Sequence, residues 1–198
     1  MSTPAESVLE LFRETGAYLH GHFRLTSGLH SPEYLQCALV LQHPAHAAAL
    51  GARLAAALRP VAPEVAVVVS PALGGLIIGH EVARALGARH IFMERDPATG
   101  NMTLRRGFAV EAGESAVVVE DVITTGGSTR DVVGTLRAAG ANVLAAASII
   151  DRSGGHAEVG VPRVALTTLR AVTYPPENCP LCAQGVPVLK PGSRPAPK

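Results

Sequence analysis

Two adjacent acids, Glu120 and Asp121, follow the apolar run 116–119, and after Val122 and Ile123 comes a run of small residues, Thr124, Thr125, Gly126, Gly127 and Ser128. In an open parallel α/β sheet, ligands bind beyond the carboxyl ends of the strands. A turn of this composition, leading into a helix, presents successive backbone N–H groups as an anion-binding nest at the helix N-terminus. Glycines there let the backbone approach an anion closely, and the three hydroxyl residues add donors. Two carboxylates beside a phosphate site would repel the anion. They make sense as acceptors for sugar hydroxyls or as partners of a hydrated Mg²⁺. Phosphate, vicinal hydroxyls and metal together describe a phosphorylated ribose. The plainer reading is a strand, a capped turn and a helix without a ligand, since short motifs carry a high false-positive risk. Competing nucleotide motifs are absent: the chain has neither Gly-Lys-Ser/Thr nor a G-x-G-x-x-G after a strand.

These residues must be positioned by an alternating pattern of strands and helices. The apolar run at 65–70 fits a buried strand, 89–94, 115–120 and 142–150 read as further strands, and 163–169 offers an edge strand. Helical patterns cover 5–15, 45–58, 74–87 and 128–140. Ser2 or Thr3 before Pro4 supplies a start signal, and Gly87 and Gly140 supply stops. Alternation of this kind implies a parallel sheet with right-handed crossovers and helices on its faces. Residues 21–37 read as short strands and a loop forming a small N-terminal hood. The polar segment 95–113 is long for a helix-free crossover and reads as a hairpin flap. The Pro-rich stretch beyond Tyr174 reads as an irregular surface tail. The expected organisation is one domain over 1–198, with a hood at 1–43, an α/β core at 44–170 and the tail at 171–198.

Composition removes several function classes. The chain has 198 residues, 17 basic and 16 acidic, for a formal charge of +1. That balance gives no electrostatic case for nucleic acid or an anionic membrane. Aromatics are 4% and Trp is absent, so base-stacking platforms are not expected. No apolar run reaches membrane-spanning length. The N-terminal stretch lacks a basic region followed by an apolar one, so the expected location is cytoplasmic. Lys190 and Lys198 are the only lysines, and all other basic residues are arginines. His43 and His46 are expected on a helix surface. Cys179 and Cys182 have zinc-knuckle spacing without a second pair in the chain. They read as a tail turn with reduced thiols, the alternative being four cysteines pooled across two chains.

The string "VVVEDVITTGGST" at 117–129 resembles the ribose-phosphate signature of the phosphoribosyltransferases, and "EDVITTG" is most similar to the orotate phosphoribosyltransferase family. "FRLTSGLHSPEYLQ" at 23–36 resembles that family's base-side N-terminal stretch. "SPALGGLIIGHEVARALGA" at 70–88 resembles its pyrophosphate loop and following helix, and "IIDRSGG" at 149–155 its Asp-Arg step. The tail "CPLCAQGVPVLKPGS" is similar to one branch of the family. The resemblance covers nearly the whole chain, in order. It implies the type I fold, a central parallel sheet flanked by helices, with hood and flap. It further implies transfer of the phosphoribosyl group of 5-phosphoribosyl 1-pyrophosphate to orotate, yielding orotidine 5'-monophosphate and pyrophosphate, with Mg²⁺ and as a homodimer.

Carried over by residue, the resemblance assigns phosphoribosyl pyrophosphate to Glu120, Asp121, Val122, Ile123, Thr124, Thr125, Gly126, Gly127 and Ser128. It assigns orotate to Thr124 and Arg152. Mg²⁺ is expected to be held mainly through substrate, with Glu120 and Asp121 in reach. The guanidinium fork of Arg152 also suits a planar carboxylate on physical grounds. The family often carries lysines and a histidine in its catalytic loop. Here "ERDPATGNMTLRRG" has neither, Gly74 stands where a lysine is common, and so does Thr26. Arginine can stabilise an anionic leaving group but does not titrate in the relevant range. Arg95, Arg105 and Arg106 are the candidates, with Arg95, at the loop's start, and Asp121 as the expected catalytic residues. Two alternatives stand: a purine-base phosphoribosyltransferase, and a non-catalytic regulator that binds phosphoribosyl pyrophosphate.

Overall fold

The computed structural model describes residues 4–25 and 27–191. Ser2, Thr3, Thr26 and Lys198 lie outside the described residues. The chain forms α1 (Pro4–Glu14), a hairpin of β1 (Tyr18–Arg24) and β2 (His30–Leu35), α2 (Cys37–Leu41) and α3 (Pro44–Leu58). The core follows as β3 (Val67–Pro71), α4 (Gly75–Leu86), β4 (Arg89–Arg95), β5 (Met102–Leu104), β6 (Ser115–Ile123), α5 (Gly127–Ala138), β7 (Asn142–Asp151) and β8 (Arg163–Thr168). A 3₁₀ turn (Pro176–Asn178) and the one-turn α6 (Pro180–Ala183) close the described chain.

The main sheet has six strands in the order β5-β4-β3-β6-β7-β8. β4, β3, β6, β7 and β8 run parallel, and β5 alone is antiparallel, folded back on β4 with Met93 opposite Leu104. Segment 95–113 is thus a hairpin only through Leu104; 105–114 is irregular. Chain order runs one way from β3 to β4 and the other way from β6 to β7. The reversal between β3 and β6 is the topological switch point, where open α/β sheets bind ligands.

Period-two alternation assigns the two faces. Val68, Val117, Val119, Ala145, Ala147 and Ile149 pack with Leu50, Leu54, Ile78 and Val82 of α3 and α4. Val67, Val69, Val118 and Ala146 pack with Val132, Val133 and Leu136 of α5, together with Met93 and Met102. Small residues tighten the first layer. A Cβ on Gly51 of α3 would lie 2.5 Å from Cβ and 2.8 Å from the backbone carbon of Glu81 on α4, so the helices touch backbone to backbone. Gly87 ends α4 at φ 72, a left-handed conformation that glycine adopts without strain.

The tail differs from its expected course. It is short of regular structure, yet it is tied to the hood: Leu189 N donates to His22 O at 2.7 Å, and Arg24 N donates to Leu189 O at 2.7 Å. His30 and Tyr174 exchange backbone bonds at 2.8 Å. A two-stranded sheet is marginal alone, and the tail supplies additional pairing.

Gly51→Ala tests the α3–α4 contact. Overpacking at a backbone contact typically costs about 1–3 kcal/mol, so chemical denaturation is expected to show a loss of that size with an unchanged denaturant slope.

Candidate active site

β6 runs past the expected end at residue 120 and continues to Ile123, because β7 keeps pairing with it through Glu120↔Ser148, Val122↔Ile150 and Ile123↔Asp151. On the other side, β3 pairs with β6 only as far as Val69↔Val118. The acids therefore lie within the strand but on an edge that β3 has vacated. This crevice is what the switch point creates.

Strand alternation sends the two carboxylates to opposite sides. Glu120 turns toward α5, where Thr129 Oγ1 donates to Glu120 Oε2 at 2.5 Å. Asp121 turns toward the loop before α4. It accepts from Val122 N at 2.8 Å, and a Cβ on Gly74 would lie 2.6 Å from its Oδ1. A lysine side chain at position 74 would have to displace that carboxylate. Neither acid forms an ion pair among the described residues. Burial pushes the Glu120 carboxyl up to about 7, against the opposing hydrogen bond from Thr129. Burial also raises Asp121, against the hydrogen bond from the Val122 backbone. Two desolvated carboxylates without a fixed cation form a donor set suited to a divalent ion or to hydroxyls.

The turn 124–126 leads straight from β6 into α5. Gly126 has φ 76, and a Cβ there would lie 2.8 Å from Val159 Cγ1. Both conformation and space therefore require glycine. The N–H groups of Thr125 and Gly126 have no protein acceptor among the described residues. Thr124, Thr125, Arg130, Ser153, His156, Ala157 and Glu158 line an open basin of about 360 Å³. Arg130 is held to the Glu158 carbonyl at 2.6 Å and stands at its side.

Arg152 follows β7, and its backbone N donates to Ile123 O at 2.8 Å, locking it beside the turn. Asp151 braces the same loop. Buried Asp151 pairs with Arg163 and accepts from Ser153 N at 2.8 Å and Ser153 Oγ at 2.6 Å. Ser153 Oγ in turn accepts from His156 N and Ala157 N. The Arg152 side chain is half-buried, and burial pulls its pKa down, with Tyr34 and Glu33 among the groups opposing. It has no ion pair among the described residues. Together with Tyr18, Glu33 and Leu35 of the hood and Leu169, Arg170 and Ala171, it lines a cleft of about 230 Å³.

Among the loop arginines, Arg95 ends β4 and reaches across to α5, 3.3 Å from Asp131 and 3.5 Å from Ser128 Oγ. Arg106 is paired with Glu94 at 2.8 Å and lies over the Phe92 ring. Arg105 has no ion pair among the described residues. Sequence reasoning missed Thr129, Gly74's fit against Asp121, and Tyr18. A threonine in the first helical turn after a strand-end acid is a usable signal for the first. Tyr18 gave none, since its role depends on how the hairpin docks.

The sheet is doubly wound, with an acidic pair and a glycine turn at its switch point, and the phosphoribosyl transferase domain family matches residues 39–168. Orotate phosphoribosyltransferase of Pelotomaculum thermopropionicum is 53% identical over 96% of this chain and 97% of that protein. The orotate phosphoribosyltransferase of Thermotoga petrophila is 50% identical over 94% of this chain and 98% of its own length. The chain belongs to the orotate phosphoribosyltransferase family and is a pentosyltransferase. The crystal structure of orotate phosphoribosyltransferase from Aeropyrum pernix superposes with a TM-score of 0.71 at 26% identity, covering 82% of this chain and 94% of that one. Adenine phosphoribosyltransferase from Leishmania tarentolae shares the fold at TM-score 0.61 and 18% identity, over 84% of this chain and 89% of its own. The fold alone thus does not select the base.

Because the Glu120 carboxyl is raised, its protonated form stabilises the ligand-free fold. That contribution is complete below the ordinary value of 4.5 and is lost as pH rises through about 7. Denaturation of the ligand-free protein between those values is expected to show stability falling with pH, and Glu120→Gln is expected to flatten the slope. An unchanged slope would place the titration elsewhere.

Proposed function

We propose that this chain transfers the phosphoribosyl group of 5-phosphoribosyl 1-pyrophosphate to orotate, forming orotidine 5'-monophosphate and pyrophosphate in pyrimidine nucleotide synthesis, as a cytoplasmic homodimer using Mg²⁺. The observation that carries the choice of base is Arg152: a half-buried cation without an ion-pair partner among the described residues, lining a cleft with Tyr18 and Leu35 of the hood. Such a site favours a planar, anionic base. The dimer and the compartment rest on the family resemblance and on the sequence reading.

The 5-phosphate is received by the backbone of residues 124–128, with the hydroxyls of Thr124, Thr125 and Ser128. Val122 and Ile123 carry the strand into this turn. Glu120 and Asp121 accept hydrogen bonds from the ribose hydroxyls, which fixes the sugar ring between them. Arg152 forks the orotate carboxylate, and Thr124 contacts the base from the turn. When bound, Mg²⁺ neutralises pyrophosphate charge; it is held mainly through substrate, with Glu120 and Asp121 the carboxylates in reach. As the glycosidic bond to pyrophosphate breaks, positive charge develops on the ribose carbon, and the Asp121 carboxylate is the nearby group that stabilises it. Arg95 is the proposed positive group for the departing pyrophosphate. It acts by charge alone, since a guanidinium does not exchange protons at neutral pH. The orotate nitrogen takes the vacated position, and no covalent intermediate with the protein is needed.

Orotate absorbance in the presence of phosphoribosyl pyrophosphate and Mg²⁺ tests the assignment. Loss is expected only with all three components and is expected to vanish in Asp121→Asn. Turnover with a purine base but not orotate would overturn the choice of base. Binding of phosphoribosyl pyrophosphate without turnover of any base would indicate a regulator. Truncating one member of a buried charge pair costs about 2–5 kcal/mol. Arg152→Ala is therefore expected to raise the KM for orotate by about 30-fold or more, with the KM for phosphoribosyl pyrophosphate little changed.

A further inference from the structure

His22 on β1, His30 on β2, and Cys179 and Cys182 around α6 meet at one point on the side of the hood where the tail docks. One ligand-capable atom from each lies within 4.8 Å of all the others. His22 Nε2 is 2.8 Å from His30 Nδ1, 3.5 Å from Cys179 Sγ and 3.7 Å from Cys182 Sγ. Cys182 Sγ is 3.3 Å from His30 Nδ1. Zn–N bonds of about 2.0–2.1 Å and Zn–S bonds of about 2.3 Å give a tetrahedron with edges of about 3.3–3.8 Å. The distances from His22 to both sulfurs and from Cys182 to His30 match those edges. The histidines need to open by about 0.5 Å, and the remaining separations, from Cys179 to His30 and to Cys182, lie within 4.8 Å.

The surroundings agree with ligation. His22, His30 and Cys179 are buried, and Cys182 closes the cluster from the exposed side. His22 Nδ1 lies 2.7 Å from the Val186 carbonyl. A carbonyl only accepts, so the proton sits on Nδ1 and the Nε2 lone pair faces the cluster. This outer-shell arrangement is the usual one for metal-bound imidazole. Both sulfurs belong to a C-x-x-C turn, and both histidines to facing strands of one hairpin. Two thiolates and two imidazoles form a tetrahedral S₂N₂ set, which selects zinc over the harder, oxygen-seeking ions.

We propose that His22, His30, Cys179 and Cys182 of a single chain form a structural zinc site that fastens the tail to the hood. The site is separate from the Mg²⁺ chemistry at Glu120 and Asp121. It replaces the expectation of an idle turn or of sulfurs pooled between two chains. Its physical role follows from where the ligands lie. β1 and β2 form a sheet too small to be stable alone, yet they carry Tyr18, Glu33 and Leu35 to the cleft. A closed metal site adds folding free energy to such a unit.

Full-length, tag-free protein purified without chelators, followed by metal analysis and exchange with Co²⁺, tests the site without reference to activity. About one zinc per chain is expected. The cobalt form should show intense visible bands of a tetrahedral centre together with thiolate charge-transfer absorption. Cys182→Ser changes an exposed residue and leaves the core packing intact. This variant and His30→Ala are each expected to lose most of the zinc, whereas His43→Ala retains it. Zinc below about one tenth per chain with no tetrahedral cobalt spectrum would overturn the proposal. So would full occupancy in Cys182→Ser, or a freshly isolated chain whose mass shows Cys179 and Cys182 joined as a disulfide.

Discussion

Two neighbouring carboxylates on the central strand, desolvated and without a cation to offset them, set the main constraint on this structure. Burial favours the protonated form of both, and it moves Glu120 to about 7. A chain selected for stability alone would place apolar residues at these positions, since unpaired buried charge is costly. Here the surroundings are arranged so that the cost is relieved from outside. β3 ends early enough to leave the edge open, Gly74 leaves room for Asp121, and Thr129 contributes a hydroxyl but no charge. In the proposed reaction, the ribose hydroxyls and a divalent ion would supply what the protein withholds.

The positive side of the site follows the same logic. Arg152 forms no ion pair among the described residues, although Glu33 shares its cleft, while Asp151 beside it is fully engaged with Arg163 and Ser153. One residue of this step fixes the loop, and the next is left for a ligand. The backbone bond from Arg152 to Ile123 couples that loop to the end of β6, where the turn 124–126 begins. The residues proposed to hold base, sugar and phosphate are thereby joined through backbone, which limits their relative movement.

The scarcity of lysine moves every cationic task within the described core to arginine. Arg95 and Arg106 are both tied to acids at the surface, at Asp131 and Glu94. Exposed pairs of this kind are weak and exchange readily, so they restrain the side chains without removing their charge from use. The hood shows the opposite strategy. Its two short strands are fastened by backbone pairing with the tail and by the four-residue His and Cys cluster, because they have little core of their own.

Much of the scaffold was legible in the sequence. The apolar runs that became β3, β6 and β7 are continuous because both faces of a parallel sheet are covered there, and helices alternate with the strands for the same reason. Gly87 marked its helix end because a left-handed residue there favours glycine. The acidic pair and the small-residue turn pointed to phosphate and ribose by composition alone. The sequence did not show that β6 continues past the acids, since strand length there depends on pairing with β7 and on loss of the β3 partner. Nor did it show that Glu120 and Asp121 face different elements, that position 74 is filled by the Asp121 carboxylate, or that Tyr18 lines the same cleft as Arg152. Local patterning determined the elements and the chemical character of the site. Strand order decided where the crevice opens, and docking of the tail on the hood brought His22 and His30 to Cys179 and Cys182. Contacts between residues more than 150 positions apart leave no trace in local periodicity.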